Sequence, residues 1–208
     1  TTIFNQSDWE GAQWIVYEEM PDSLRLVPGI HWLRNDLSKS LGPLGQKRYV
    51  TPYFRKEFNV SKKVKNAFMA VSGLGHYELS LNGKTVGDHF LAPGWTQYDK
   101  TCLYNMYEVT DMIRDGDNAL GAIVGCGFYN INVERYKKLV ITYGSPTLIC
   151  KLSIEYEDGS IETVVSDRSW KTDPSPVTFT SIFGGEDYNA NLEQNDWNGD
   201  RYRSWASK

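Results

Sequence analysis

Apolar and polar positions along most of this chain alternate over short stretches, and turn residues interrupt them at intervals of about 8–12 residues. Residues 53–60 read as a strand, and Ser61, Lys62 and Lys63 follow as a solvated turn. Residues 64–71 read as the next strand, with Val64, Phe68 and Ala70 expected inward. The clearest signal runs from Tyr77 to Asp88, where a period-2 strand enters Asn82-Gly83 and a second strand leaves it. Both central positions of a two-residue hairpin turn need φ > 0, which Asn and Gly tolerate best, so residues 79–81 are expected to pair with 84–86. Residues 103–109 form a further strand that ends at Thr110-Asp111; a short turn or helix follows, and Gly116-Asp117-Asn118 restarts the chain. Residues 119–124 are nearly all apolar and read as a central strand. A second hairpin joins 148–156 to 161–166 through Asp158-Gly159, and residues 169–172 and 177–183 are expected to close the sandwich.

Three regions depart from this pattern. Residues 1–48 are irregular: Trp9, Trp14 and Trp32 stand among Gly, Pro, Asp and Ser, and 24–44 reads as a long loop with a turn of helix. The expected organisation is therefore an N-terminal extension, 1–48, packed on a β-sandwich accessory domain, 49–208. The segments 93–99 and 125–146 read as loops, and a loop as long as the second inside a compact domain usually packs over a site or serves a function. Many short strands with hardly any helical period predict an all-β, antiparallel β-sandwich of jelly-roll type.

Composition narrows the function classes. The 208 residues suit one large all-β domain, although domains average nearer 150 residues. With 40% hydrophobic and 23% charged residues the chain has ordinary globular usage, so a core is expected and disorder is not. Twenty-two basic against 26 acidic residues give a net charge of −4, and the basic runs are no longer than pairs such as Lys62-Lys63 and Lys137-Lys138. Nucleic-acid and anionic-membrane partners are disfavoured on that ground. The excess is aromatic, 7 Trp and 13 Tyr, flat rings that suit both sheet packing and sugar faces. Cys102, Cys126 and Cys150 are too few and too widely spaced for a disulfide framework or a CxxC metal site, and are expected as buried free thiols. No run of about 18 apolar residues occurs. The chain opens at Thr1 without an initiator Met or an apolar signal core and stops at Lys208, and reads as a segment of a longer protein.

In order along the chain, several groups of residues resemble the N-terminal β-domain of bacterial α-L-rhamnosidases over roughly residues 50–192. They are Trp14-Ile15, then 52–58, then the Tyr77 to Gly83 hairpin, then Leu91 to Asp99, then Gly125-Cys126-Gly127-Phe128-Tyr129, and finally Gly185 to Ala190. The resemblance implies a galactose-binding-domain-like jelly roll, accessory to a catalytic helical barrel that lies C-terminal in the family. It implies no enzyme activity in this chain and a parent that is an α-L-rhamnosidase, with periplasmic or extracellular residence. Rhamnose binding and a purely structural role on the barrel both stay open, and a self-contained glycosidase is the rival class. Expected partners are the parent's barrel and L-rhamnose or a rhamnose-containing glycan. Where the family often has Gly-Asp-Gly-Trp, this chain has Gly125-Cys126-Gly127-Phe128, which lacks both the carboxylate and the indole. Rhamnose-binding members carry an acid–amide pair for calcium; Ser72-Gly73-Leu74-Gly75 stands in that region here, so no cofactor is expected.

The candidate carbohydrate-binding residues are Trp95, Tyr98 and Asp99 in the first loop, with Phe128, Tyr129, Asn130 and Asn132 in the second. Trp95 would offer a ring face to sugar C–H groups, and Tyr98, Asp99 and the amides would take hydroxyls. Sandwich loops cluster at the ends of a rigid scaffold, where binding residues concentrate. Core packing and ordinary solvated turns account for the same residue types. For calcium, Asp99, Asn130 and Asn132 lie in candidate loops, but without Asp-x-Asp spacing. Glu186 and Asp187 are adjacent on one strand and so face opposite ways, unlike the flanking carboxylates of a glycosidase, and Glu186 is expected to be structural. His31, His76 and His89 share no metal or triad spacing and are expected as solvated or core residues.

Overall fold

The computed structural model describes residues 6–27, 50–131, 141–199 and 202. Within them the strands are β1 (Ile15–Val16), β2 (Pro52–Val60), β3 (Val64–Leu74), β4 (His76–Leu81), β5 (Lys84–Thr85), β6 (Asn105–Glu108) and β7 (Gly116–Gly125). They continue as β8 (Asn130–Ile131), β9 (Ile141–Thr142), β10 (Thr147–Tyr156), β11 (Ile161–Val165), β12 (Lys171–Pro174), β13 (Val177–Ser181) and β14 (Gly185–Tyr188). Short 3-10 turns punctuate them, and no α-helix occurs among the described residues. The loop expected over 24–44 lies outside the described residues beyond Val27, as do His31, Asn132 and Lys137-Lys138.

Two antiparallel sheets face each other. One has the order β1-β10-β3-β6, with β11 also on β10; the other runs β12-β2-β7-β4-β5. Because side chains alternate across a strand, each sheet turns one apolar set inward. Ala67, Met69 and Val71 of β3 and Leu148, Cys150, Leu152 and Ile154 of β10 meet Phe54 of β2, Tyr77, Leu79 and Leu81 of β4, and Leu120, Ala122 and Val124 of β7. The chain is an antiparallel β-sandwich, consistent with the jelly-roll type. The chain switches sheets between β3 and β4 at Gly75, whose φ is +119° and where a Cβ would lie 2.1 Å from the Gly125 carbonyl oxygen. Only glycine meets both demands.

The Asn82-Gly83 hairpin forms as expected, with φ of +56° and +79° and Ser80 opposite Thr85. Asn82 does more than turn the chain. Its amide donates to Met112 O at 2.9 Å and to Asn118 Oδ1 at 2.8 Å and accepts from Ala119 N. Asn118 in turn donates to Arg114 O and Gly116 O. The two most distinctive stretches of the sequence are therefore locked to one another by a buried pair of asparagines.

Three expectations change. Phe68 points outward and is 37% exposed, whereas Ala67, Met69 and Val71 face the core. The cause is a bulge: Val64 pairs with Tyr156 and Asn66 with Glu155, so Lys65 is an extra residue that reverses the alternation beyond it. Residues 177–183 do not join the sandwich; β13 pairs with β14 in a separate hairpin, and β12 on β2 closes the second sheet. Pro174 and Pro176 lack the N–H that would extend the ladder. Cys102 lies at the surface, while Cys126 and Cys150 are buried.

Described segments on either side of the strands, 6–16 and 194–199, pack on this frame. Towards the N-terminus, β1 pairs with β10, Gln13 N donates to Ser166 O, and Lys151 Nζ reaches Asp8 O and Glu10. Towards the C-terminus, residues 194–199 cover the outer face of the second sheet. Trp197 stacks on Tyr53 at 4.0 Å, and Gly83 N donates to Asn198 O. Arg55, only 1% exposed, donates to Trp197 O at 2.7 Å, Gly199 O at 2.9 Å and Glu57 Oε1 at 2.7 Å.

Candidate functional site

One end of the sandwich gathers aromatic rings from three separate segments. Trp95, in the loop after β5, is 55% exposed and lies parallel on Phe128, with centroids 4.6 Å apart and planes 9° apart. Phe128 follows the β7 strand through Gly125-Cys126-Gly127, and Gly127 sits so close to β4 that a Cβ would lie 3.1 Å from His76 N. Its ring edge meets His76 at 6.3 Å and Phe183, from the β13–β14 connection, at 6.1 Å.

Next to this rim a cleft of about 440 Å³ opens between the outer face of β4 and β7 and the β13–β14 hairpin. His76 and Glu78 line it from β4, Thr180 and Ser181 from β13, and Glu186 from β14. Leu91, Ile123, Val177 and Ile182 supply apolar wall. The hairpin is held there by Thr180 Oγ1, which accepts from Cys126 N at 2.8 Å. Burial pushes the His76 imidazole pKa below its ordinary value, so it is neutral at pH 7. Glu78 and Glu186 are both exposed.

The residues expected to bind sugar divide between two environments. Trp95 and Phe128 share the rim. Tyr98 is 8% exposed and packs edge-on against Tyr129 at 5.2 Å and Tyr143 at 5.5 Å, while Tyr129 and Tyr143 stack at 5.6 Å. Burial, with smaller contributions from Cys102 and its aromatic neighbours, pushes the Tyr98 phenol up to about 12, and its hydroxyl has no hydrogen-bond partner. Asn130 is buried, with neither amide atom hydrogen-bonded. Neither Tyr98 nor Asn130 is open to a sugar at the surface. Asp99 is exposed, and its charge adds to burial in raising the Tyr143 phenol pKa.

His76, Glu78, Phe183 and Glu186 are neighbours that sequence reasoning did not assemble. For His76 and Glu78 a signal exists: with Tyr77 and Leu79 facing the core, period 2 puts both on the outer face. Nothing local to β14 shows that Glu186 faces that same cleft. Glu186 and Asp187 do sit opposite different residues, Thr180 and Phe179. No cluster of three His, Cys, Asp or Glu occurs among the described residues. Burial pushes the Cys126 thiol up to about 11 and the Cys150 thiol to about 12, which makes both poor nucleophiles.

The site's frame has close relatives. The α-L-rhamnosidase N-terminal domain family matches residues 62–207. An α-L-rhamnosidase of Formosa agariphila is 34% identical over 98% of this chain and 22% of its own length. Among solved structures, the α-L-rhamnosidase from Dictyoglumus thermophilum superposes with a TM-score of 0.73 at 36% identity, covering 98% of this chain and 21% of that one. That of Streptomyces avermitilis, complexed with L-rhamnose, gives 0.71 at 34% identity over 76% of this chain and 15% of that one. The chain spans 15–22% of the length of the curated rhamnosidases it matches.

Proposed function

The chain belongs to the α-L-rhamnosidase N-terminal domain family, and we propose that it serves as a non-catalytic accessory domain that engages carbohydrate at the Trp95 end of the sandwich. The observation that carries this reading is the exposed Trp95 ring, stacked on Phe128 beside a cleft with polar and apolar walls. A flat ring held by a second ring offers a preorganised face to sugar C–H groups, and hydroxyls find acceptors in Glu78, Glu186 and Thr180. The S. avermitilis relative was solved with L-rhamnose, and L-rhamnose or a rhamnose-bearing glycan is the ligand we assign here.

Hydrolysis in this reading belongs to a catalytic barrel elsewhere in the parent chain. A glycosidase acid needs a carboxyl whose proton is retained by apolar burial. Glu78 and Glu186 are both exposed, which argues against that role. Titration calorimetry with L-rhamnose, with and without calcium, tests the proposal. Modest, millimolar-range binding that Trp95→Ala abolishes in a folded variant is expected, and absence of heat in both conditions refutes it. A second reading, a buttress that docks on the barrel without a sugar site, is favoured by Phe90, 95% exposed, and Leu91, also exposed, in the loop that carries Trp95. That reading gains if the isolated chain binds no sugar.

A further inference from the structure

The charge of the cleft's described lining is of one sign. Glu78 faces it from β4 and Glu186 from the β13–β14 hairpin. Among the described lining residues the basic side chain is His76 alone, and its burial keeps it uncharged at neutral pH. The remaining wall is apolar or hydroxyl-bearing, so neither carboxylate meets a counter-charge from the described lining. A concave surface of single sign between low-dielectric walls focuses its field on whatever enters. Thr51, 1% exposed, also lines the cleft, and its hydroxyl has no hydrogen-bond partner, which leaves polar capacity for an occupant or its water.

We propose that this cleft selects glycans by charge, admitting neutral sugars and rejecting those with an anionic substituent next to the bound residue. The inference rests on the carbohydrate-binding reading above and adds a specificity to it. A neutral pyranose donates hydroxyl protons to Glu78 and Glu186 and lays its C–H groups against the apolar wall. A uronate in the same place brings a third carboxylate towards two that are already there. Like charges across a recognition surface are a means of excluding partners. Two unit charges about 7 Å from the anion in a solvent-like dielectric weaken its binding about fivefold to tenfold at low salt, and less at 0.15 M.

The test compares a rhamnosyl-uronate disaccharide with its methyl ester, ligands of nearly one shape that differ by one charge. Both are titrated into the wild-type chain and into the Glu78→Gln/Glu186→Gln variant at low and high salt. The expected result is about fivefold to tenfold tighter binding of the ester by wild type at low salt, shrinking at high salt and falling to a ratio near one in the variant. Equal affinities for acid and ester in the wild type overturn the inference and leave the carbohydrate reading standing. So does discrimination that persists in the variant. Failure of the ester, the acid and L-rhamnose alike to bind removes the carbohydrate reading and the inference with it. Both glutamates are exposed, so circular dichroism and urea unfolding of the variant are expected to match wild type.

Discussion

Arg55→Met isolates the interaction that holds the C-terminal segment against the second sheet. The guanidinium is fully buried, and two of its hydrogen bonds go to the carbonyls of Trp197 and Gly199, some 142 and 144 residues away in sequence. Hydrogen bonds from a charged donor contribute about 1.5–3 kcal/mol each, so these two amount to about 3–6 kcal/mol if both carbonyls stay buried. The ion pair with Glu57 adds little, because that carboxylate is 48% exposed and such pairs are worth about 0–1 kcal/mol. The carbonyls need not stay buried, however. The segment can swing away and give them to water, forfeiting the Tyr53–Trp197 stack, itself worth about 0.5–1.5 kcal/mol beyond area burial. That escape caps the loss, and we expect about 2–4 kcal/mol in urea unfolding. Release should be visible before global unfolding in amide exchange at Gly83, whose N–H donates to Asn198 O. Arg55→Lys is expected to recover only part of the loss, since an ammonium lacks the planar fork. Stability within about 1 kcal/mol of wild type, together with unchanged exchange at Gly83, would refute the reasoning.

Three further outcomes follow from the same structure. Asn118→Ala removes the hydrogen bonds to Arg114 O, Gly116 O and Arg114 N and should cost about 3 kcal/mol in urea unfolding, with strong coupling to Asn82→Ala in a double-mutant cycle. Gly75→Ala puts a Cβ 2.1 Å from a backbone oxygen at φ +119° and should prevent recovery of folded protein, as judged by near-ultraviolet circular dichroism. His76 has a folded pKa below the ordinary value of 6.5, so the unfolded chain binds more protons just below that pH and stability rises with pH there. Its contribution is complete above pH 6.5 and is lost as pH falls through the folded value. The drop in stability from pH 7.5 to 5 should therefore be smaller in His76→Gln than in wild type, and equal drops would rule this out.

The sequence alone determined the features that depend on short range. Asn82-Gly83 and Asp158-Gly159 turn where they were expected to, because the need for φ > 0 and period-2 alternation are settled within a few residues. It also determined the sandwich, since many short alternating strands without helical period have few other ways to bury their apolar faces. The tertiary structure decided what depends on partners far along the chain. Phe68 looks outward because β3 meets β10 with one extra residue, a matter of register between strands that no window around Phe68 contains. Alternation puts Arg55 on the face opposite Phe54, and only the segment bearing Trp197 and Gly199 buries it there. Trp95 and Tyr98, three positions apart, take opposite fates: one stacks in the open on Phe128, the other disappears between Tyr129 and Tyr143. Alternation says which side of a strand a side chain takes, but only the packing of distant segments settles whether that side meets water.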